Sequence, residues 1–375
     1  MRQSGHKSRR SGLHFQWSES PSRRRNLIRH QPKRPQVRVV VIGGGVAGLS
    51  AAIQLAAEGA AVLLIDLKGT LGGRVRMQES GDWVLDSGLH LMRRRGPFQQ
   101  LLRRLRAPRV LGKKWDAARL FPVGCDATRA RQVLSSMRLE GSGEERLILP
   151  AGGWSSIVGR LILGARELGV EILVEKPAEA VILDDDNRVK AVRVAGEEVD
   201  CDAVVLAIPP KAAAALLAET SLATDALESC SEHRVAAIDA ALMGKPMGPY
   251  AGYWGEDSGV LIIDATQPDR LSERGSVEEC TIIHAVCLHA DGEEGLDAIK
   301  SFLDSRCSGW RNMVAARRST ESIMLHPCSA EERLDGELYL ENQIVLAGTH
   351  VANTHELSDA AVDSGRKAAK ALMRD

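Results

Sequence analysis

The residues best placed to do chemistry are six in a row, Gly43-Gly44-Gly45-Val46-Ala47-Gly48, with a carboxylate, Asp66, eighteen positions beyond the last glycine. A G-x-G-x-x-G set of this kind suits a dinucleotide. The first glycine permits a tight turn, the second lets backbone N–H groups approach a pyrophosphate, and the third lets a helix pack closely on the strand before it. The helix N-terminus then faces the anion with its unpaired amides. Asp66 stands where an acid accepts a ribose hydroxyl, and its charge would repel a 2′-phosphate, which argues against NADP and leaves NAD or FAD. The ten histidines and seven cysteines form no recognisable triad or metal-ligand spacing, so hydrolysis and metal catalysis gain no support.

Those glycines need a strand before them and a helix after them. Residues 38–42 are a β-branched apolar run, and Val46, Leu49, Ile53 and Ala56 recur at helical spacing up to Gly59, a C-terminal stop. Residues 61–66 read as a second buried strand that ends at Asp66. The frame is therefore strand, glycine turn, helix, strand.

Leu71-Gly72-Gly73-Arg74, a few residues further on, resembles the extended fingerprint of the flavin-containing amine oxidase and phytoene desaturase superfamily. Ala52 and Gly59 match small residues of that family's helix, and Leu85-Asp86-Ser87-Gly88-Leu89-His90 resembles its D-x-G-x-H segment beside the flavin. Pro150-Ala151-Gly152-Gly153 resembles the P-x-G-G that opens its second cofactor segment, and Gly348 with residues 359–373 resembles its last flavin-binding strand, turn and helix. The fold implied is α/β, a Rossmann-like FAD-binding domain with an inserted α+β substrate domain. The cofactor implied is FAD. Its site would be built from Gly43, Gly45, Val46, Ala47 and Gly48, from Asp66, Leu67, Gly73 and Arg74, and from Leu89, Ala178, Gly348 and Thr349. Ala178 falls where relatives place a small residue against the adenine. Thr349 departs from the pattern, because most relatives carry Asp or Glu there; a threonine hydroxyl can still donate and accept.

The rest of the chain divides around these segments. Residues 37–92, 150–212 and 338–375 read as a discontinuous FAD-binding domain, and 93–149 with 213–337 as the substrate domain. Phe98, Leu101, Leu102 and Leu105 follow helical spacing among Arg95, Arg103, Arg104 and Arg106, a basic amphipathic helix that packs on the body or rests on a membrane surface. Residues 115–145 carry little pattern. Beyond them, periodicity predicts a helix at 155–168, strands at 170–174, 189–194 and 203–208, further strands at 235–242, 260–263, 281–288 and 323–325, and a helix at 296–303. Ser358 is the candidate N-cap of the last helix.

Composition bounds the function. A chain of 375 residues, 44% hydrophobic and 26% charged, can hold two domains of an ordinary globular kind, and no stretch reads as a membrane span. Net charge is zero, yet residues 1–36 hold ten Lys/Arg against Glu19 alone, leaving the remainder about nine charges acidic. That disordered basic tail reads as a plain extension, an organelle transit peptide, an arm for nucleic acid or anionic membrane, or translation upstream of the true start. The expected location is cytoplasmic, membrane-peripheral or, with a transit peptide, in an organelle. No nucleic-acid partner is expected for the body.

Amine-oxidising relatives orient the amine with paired aromatic residues, whereas this chain is 3% aromatic with none in 340–375, which disfavours an amine. The resemblance then implies desaturation or related redox chemistry on an apolar, isoprenoid-like substrate, as in the phytoene desaturase, protoporphyrinogen oxidase and hydroxysqualene dehydroxylase branches. An amine oxidase-type flavoenzyme, a degenerate FAD-binding protein without turnover and an NAD-dependent dehydrogenase stay open. His90, His350 and His355 are candidates for positions near the flavin.

Overall fold

Five short apolar runs, drawn from both halves of the chain, pair in parallel to form the sheet that carries the glycine turn. In this computed structural model, which describes residues 36–75, 77–80, 83–86, 91–106, 112–136, 147–151, 153–266 and 279–374, the strand order is Ile344–Leu346, Ala203–Leu206, Arg38–Ile42, Ala61–Asp66, Glu171–Val174. The runs read as continuously apolar because both faces are covered. Val39, Val41, Val62, Leu64, Val205 and Val345 face one core with the helices Val46–Ala57, Gly153–Glu167 and Leu357–Leu372. Val40, Ile42, Leu63, Ile65, Val204 and Leu346 face the other, with the helix Pro210–Leu217 and an antiparallel meander of Ala178–Leu183, Val189–Val194 and Glu197–Asp200. This is the Rossmann-like α/β arrangement expected from the sequence.

The second large sheet has six strands in the order Val314–His326, His233–Met243, Cys280–Cys287, Val260–Asp264, Gly252–Gly255, Leu120–Val123. All its pairings are antiparallel except the last, which is parallel. On one face Ile238, Ala240 and Leu242 pack against Ile299, Phe302 and Leu303 of the helix Gly292–Arg306. The opposite face presents Val235, Ala237, Ile282 and Val286 to Leu91, Leu147 and Leu149, and receives Trp83 and Leu85 of the hairpin Met77–Ser80/Trp83–Asp86. That inner face is thus covered by residues from the segments 83–86, 91–92 and 147–149.

Several expectations need correction. The strand expected at 323–325 runs Val314–His326, because Arg317 and Glu321 on its solvated side and the inward Arg318 break the apolar run of an edge strand. The patternless 115–145 segment holds the edge strand Leu120–Val123 and the helix Ala127–Ser136. Ser358 is not the N-cap: the last helix begins at Leu357 after Glu356, with no side-chain cap. The basic helix spans Pro97–Arg104, with Phe98, Leu101 and Leu102 buried against the body and Arg103 and Arg104 exposed, so it is packed on its apolar side. Leu89 and His90 lie outside the described residues.

Candidate functional site

The glycine turn is built so that side chains are excluded from it. Gly43 has φ +104, a conformation open to glycine, and its N–H donates to the Ile65 carbonyl at 2.8 Å, tying the turn to the second strand. A Cβ on Gly48 would run into the Gly43 carbonyl oxygen, which is why the helix can approach the strand only with glycine there. Gly45 ends the turn at the helix N-terminus, and among the described residues a Cβ on it would meet only the Gly73 Cα, at 3.9 Å. Gly45 bridges Gly72 in parallel register, so the Gly72-Gly73 turn lies directly against the first. No side chain caps this helix and no acid stands in its first turn, which holds the buried Val46 and Ala47. Uncapped first-turn amides beside a glycine-lined concavity fit the pyrophosphate of a dinucleotide.

Asp66 serves the turn directly. Its Oδ2 accepts the Gly44 N–H at 2.6 Å and its Oδ1 the Lys68 N–H at 2.7 Å. Each carboxylate oxygen keeps a further acceptor site, so a ribose hydroxyl can still be received. Leu67, next to it, is 62% exposed. Ala178 begins the meander strand, half-buried and packed against the core below the sheet, and the Lys176 N–H reaches the Asp66 carbonyl at 3.3 Å. That bond ties the approach to the meander strand to the end of the strand Ala61–Asp66.

The other end is set by Arg74. Its Nη2 donates to Thr349 Oγ1 at 2.7 Å and its Nη1 to the Leu325 carbonyl at 2.8 Å, joining the turn after the second strand, the turn after the last strand and the edge of the six-stranded sheet. Thr349 therefore meets the arginine through a neutral hydroxyl where an acid would meet it as an ion pair. Gly348, at φ +154, donates its N–H to Ser364 Oγ at 3.0 Å, and a Cβ there would collide with the His350 ring. His350 is 3% exposed; burial first, and then the Arg74 charge, push its pKa down to about 4, so the imidazole is neutral. His355 is half-buried, on the loop between that turn and the last helix.

A buried charged row escaped the sequence reading. Asp239, His284 and Arg318 sit side by side on three adjacent strands of the six-stranded sheet. Asp239 Oδ1 meets His284 Nδ1 at 2.5 Å and its Oδ2 accepts from Arg318 Nη2 at 2.6 Å, with Asp239 and His284 each 1% exposed. The legible signal was a charged or polar residue in mid-run, Asp239 within 235–242 and His284 within 281–288.

Comparison with known proteins bears on all of this. The model of an NAD(P)-binding Rossmann-like domain matches residues 41–105, and that of the flavin containing amine oxidoreductases matches residues 100–240. The chain is 36% identical over 69 residues to an all-trans-zeta-carotene desaturase of Myxococcus xanthus, a stretch covering 18% of this chain and 13% of that protein. It is 45% identical over 51 residues to an L-amino-acid oxidase of Crotalus adamanteus, covering 14% of this chain and 10% of the relative. The matched stretches thus span a small part of those curated relatives. In three dimensions an oxidoreductase from Methanosarcina mazei superposes with a TM-score of 0.68 at 14% identity, over 89% of this chain and 100% of the other. Cyclohexylamine oxidase from Brevibacterium oxydans does so at 0.60 and 16%, over 90% and 99%. The fold is shared with both. The glycine turn, the Gly-Gly-Arg turn beside it and the two adjoining family matches lead to one conclusion: the chain is a member of the superfamily of flavin-containing amine oxidases and phytoene desaturases.

Proposed function

We propose that the chain is an FAD-dependent oxidoreductase of dehydrogenase or desaturase type, acting on an apolar, isoprenoid-like substrate. The family implies a flavin; the choice of FAD rests on a dinucleotide groove with an acid, Asp66, at one end and the Arg74–Thr349 hydrogen bond at the other. That bond carries the reading, since it joins the Gly72–Arg74 turn to the turn after the last strand, the two segments that the resemblance assigns to the cofactor. When bound, the flavin accepts the electron pair that the substrate gives up, while the protein binds, orients and excludes water. Here the Gly43–Gly48 turn would hold the pyrophosphate, Asp66 the adenosine ribose, and Arg74 with Thr349 the opposite end. The inner face of the six-stranded sheet, largely Val, Ala and Ile, would keep water from the reacting atoms. The apolar positions on either side of the Arg318–Asp239–His284 row, together with the carotene desaturase among the relatives, support an apolar substrate.

The test is spectroscopic. Purified protein should show a flavin band near about 450 nm, or gain one with added FAD, and its absence under both conditions would sink the reading. A valine at position 45 should abolish FAD retention, because its side chain fills the concavity between Gly45 and Gly73; stoichiometric flavin in Gly45→Val contradicts the site. An amine oxidase-type activity is the second reading, favoured by the amine oxidoreductase match and the L-amino-acid oxidase relative. Anaerobic bleaching of the bound flavin by amines but not by isoprenoids would select it. Bleaching by neither would select FAD binding without turnover.

A further inference from the structure

The row Arg318–Asp239–His284 lies on the face of the six-stranded sheet that looks toward the cofactor domain. Two fixed points place it there. Arg74, in the proposed site, bonds the Leu325 carbonyl on the edge strand Val314–His326, and Trp83 and Leu85 pack against Ala316 of that strand together with Ala241 and Cys280. Arg318 sits between those points, one pleat repeat or roughly 7 Å from Ala316.

As a stabilising device the row is inefficient. Ion pairs taken out of water recover their desolvation only with excellent geometry, and apolar residues of similar size often serve as well. The flanking inward positions are in fact apolar, Ala237 and Val286 on one side, Ala241 and Ile282 on the other. What the row does supply is a carboxylate paired with the Arg318 guanidinium and an imidazole oriented through Nδ1. With its proton on Nδ1, His284 has Nε2 as its basic nitrogen, and an imidazolium formed there is stabilised by Asp239.

Resting on the proposed FAD reading, we infer that this row roofs the reactive end of the cofactor and that His284 is the proton acceptor of the reaction, with Asp239 and Arg318 as its positioning residues. The balance is simple. The substrate loses two hydrogens; one leaves with the electron pair to the flavin, which is reduced, and the other leaves as the proton taken by His284. Among the described residues, the charged and titratable groups facing His284 on its own and neighbouring strands include Asp239, Arg318 and, two pleat repeats along, Cys280.

The experiment needs no identified substrate. FAD-loaded wild type, Asp239→Asn, Arg318→Gln and His284→Gln are photoreduced anaerobically, reading the flavin midpoint potential and, with an indicator dye in weak buffer near neutral pH, the protons taken up. Asp239→Asn should raise the potential and Arg318→Gln lower it, since the reduced flavin is the more negative form, and His284→Gln should lose the part of the uptake that belongs to the imidazole. A row that merely braces strands predicts no opposed shifts. Loaded variants with wild-type potentials and uptake, or shifts of one sign, overturn the inference alone. Should Asp239→Asn not fold, the Arg318 and His284 variants decide it by the same readings. Wild type that takes up no FAD overturns the functional reading as well.

Discussion

At residue scale the site turns on Thr349 and His350. An acid at 349 would pair with Arg74 by charge; the threonine meets it with one hydrogen bond at 2.7 Å. A bond to a charged group contributes about 1.5–3 kcal/mol at most, so Thr349→Val should weaken FAD binding about tenfold or more, measured by fluorescence titration, with unchanged affinity counting against Arg74 as the anchor. His350 carries a separate prediction. Its folded pKa, about 4, lies below the ordinary value of 6.5, so the unfolded chain binds the proton first as pH falls. The stability tied to a neutral His350 is complete above pH 6.5 and is lost as pH drops toward 4, amounting to about 3 kcal/mol over that window. Urea midpoints of wild type and His350→Gln should therefore converge on acidification. Parallel curves would show that His350 is not held neutral.

The element that matters most is the last helix. Leu357–Leu372 crosses the glycine-turn helix at Gly365, where a Cβ would meet the Ala47 carbonyl oxygen and the Ala51 nitrogen of the other helix. Backbone packs on backbone there, which seats the last helix directly on the helix that follows the Gly43–Gly48 turn. The same helix uses the buried carboxylate of Asp359 to accept the Phe98 N–H at 2.9 Å, capping the start of Pro97–Arg104. Gly365→Leu should part the two helices and lower stability by about 1–3 kcal/mol or more, seen as a reduced melting temperature and lost flavin. A variant that melts and binds as wild type would mean the crossing tolerates side chains.

At the scale of the whole molecule, the groove is assembled from strands at both ends of the chain, so cofactor and fold should be linked. FAD at a hundred times its dissociation constant should stabilise the protein by about 2.7 kcal/mol, and a melting curve indifferent to FAD would contradict a site that joins the first and last segments. The sequence by itself determined the parts whose physics is local. The Gly43–Gly48 turn, the strands at 38–42 and 61–66 and the helix between them are dictated by glycine spacing and apolar period over a few dozen residues. Boundaries drifted where caps are absent, as at Leu357, and the edge strand Val314–His326 was mostly hidden because one solvated side breaks the apolar run. What only the tertiary structure decided is every relation across long chain separations: Arg74 reaching Thr349, Gly365 lying on Ala47, and Arg318, Asp239 and His284 falling into one row. Those depend on strand register and on which face each pleat turns inward, and no local pattern of residue types encodes which distant strand will be the neighbour.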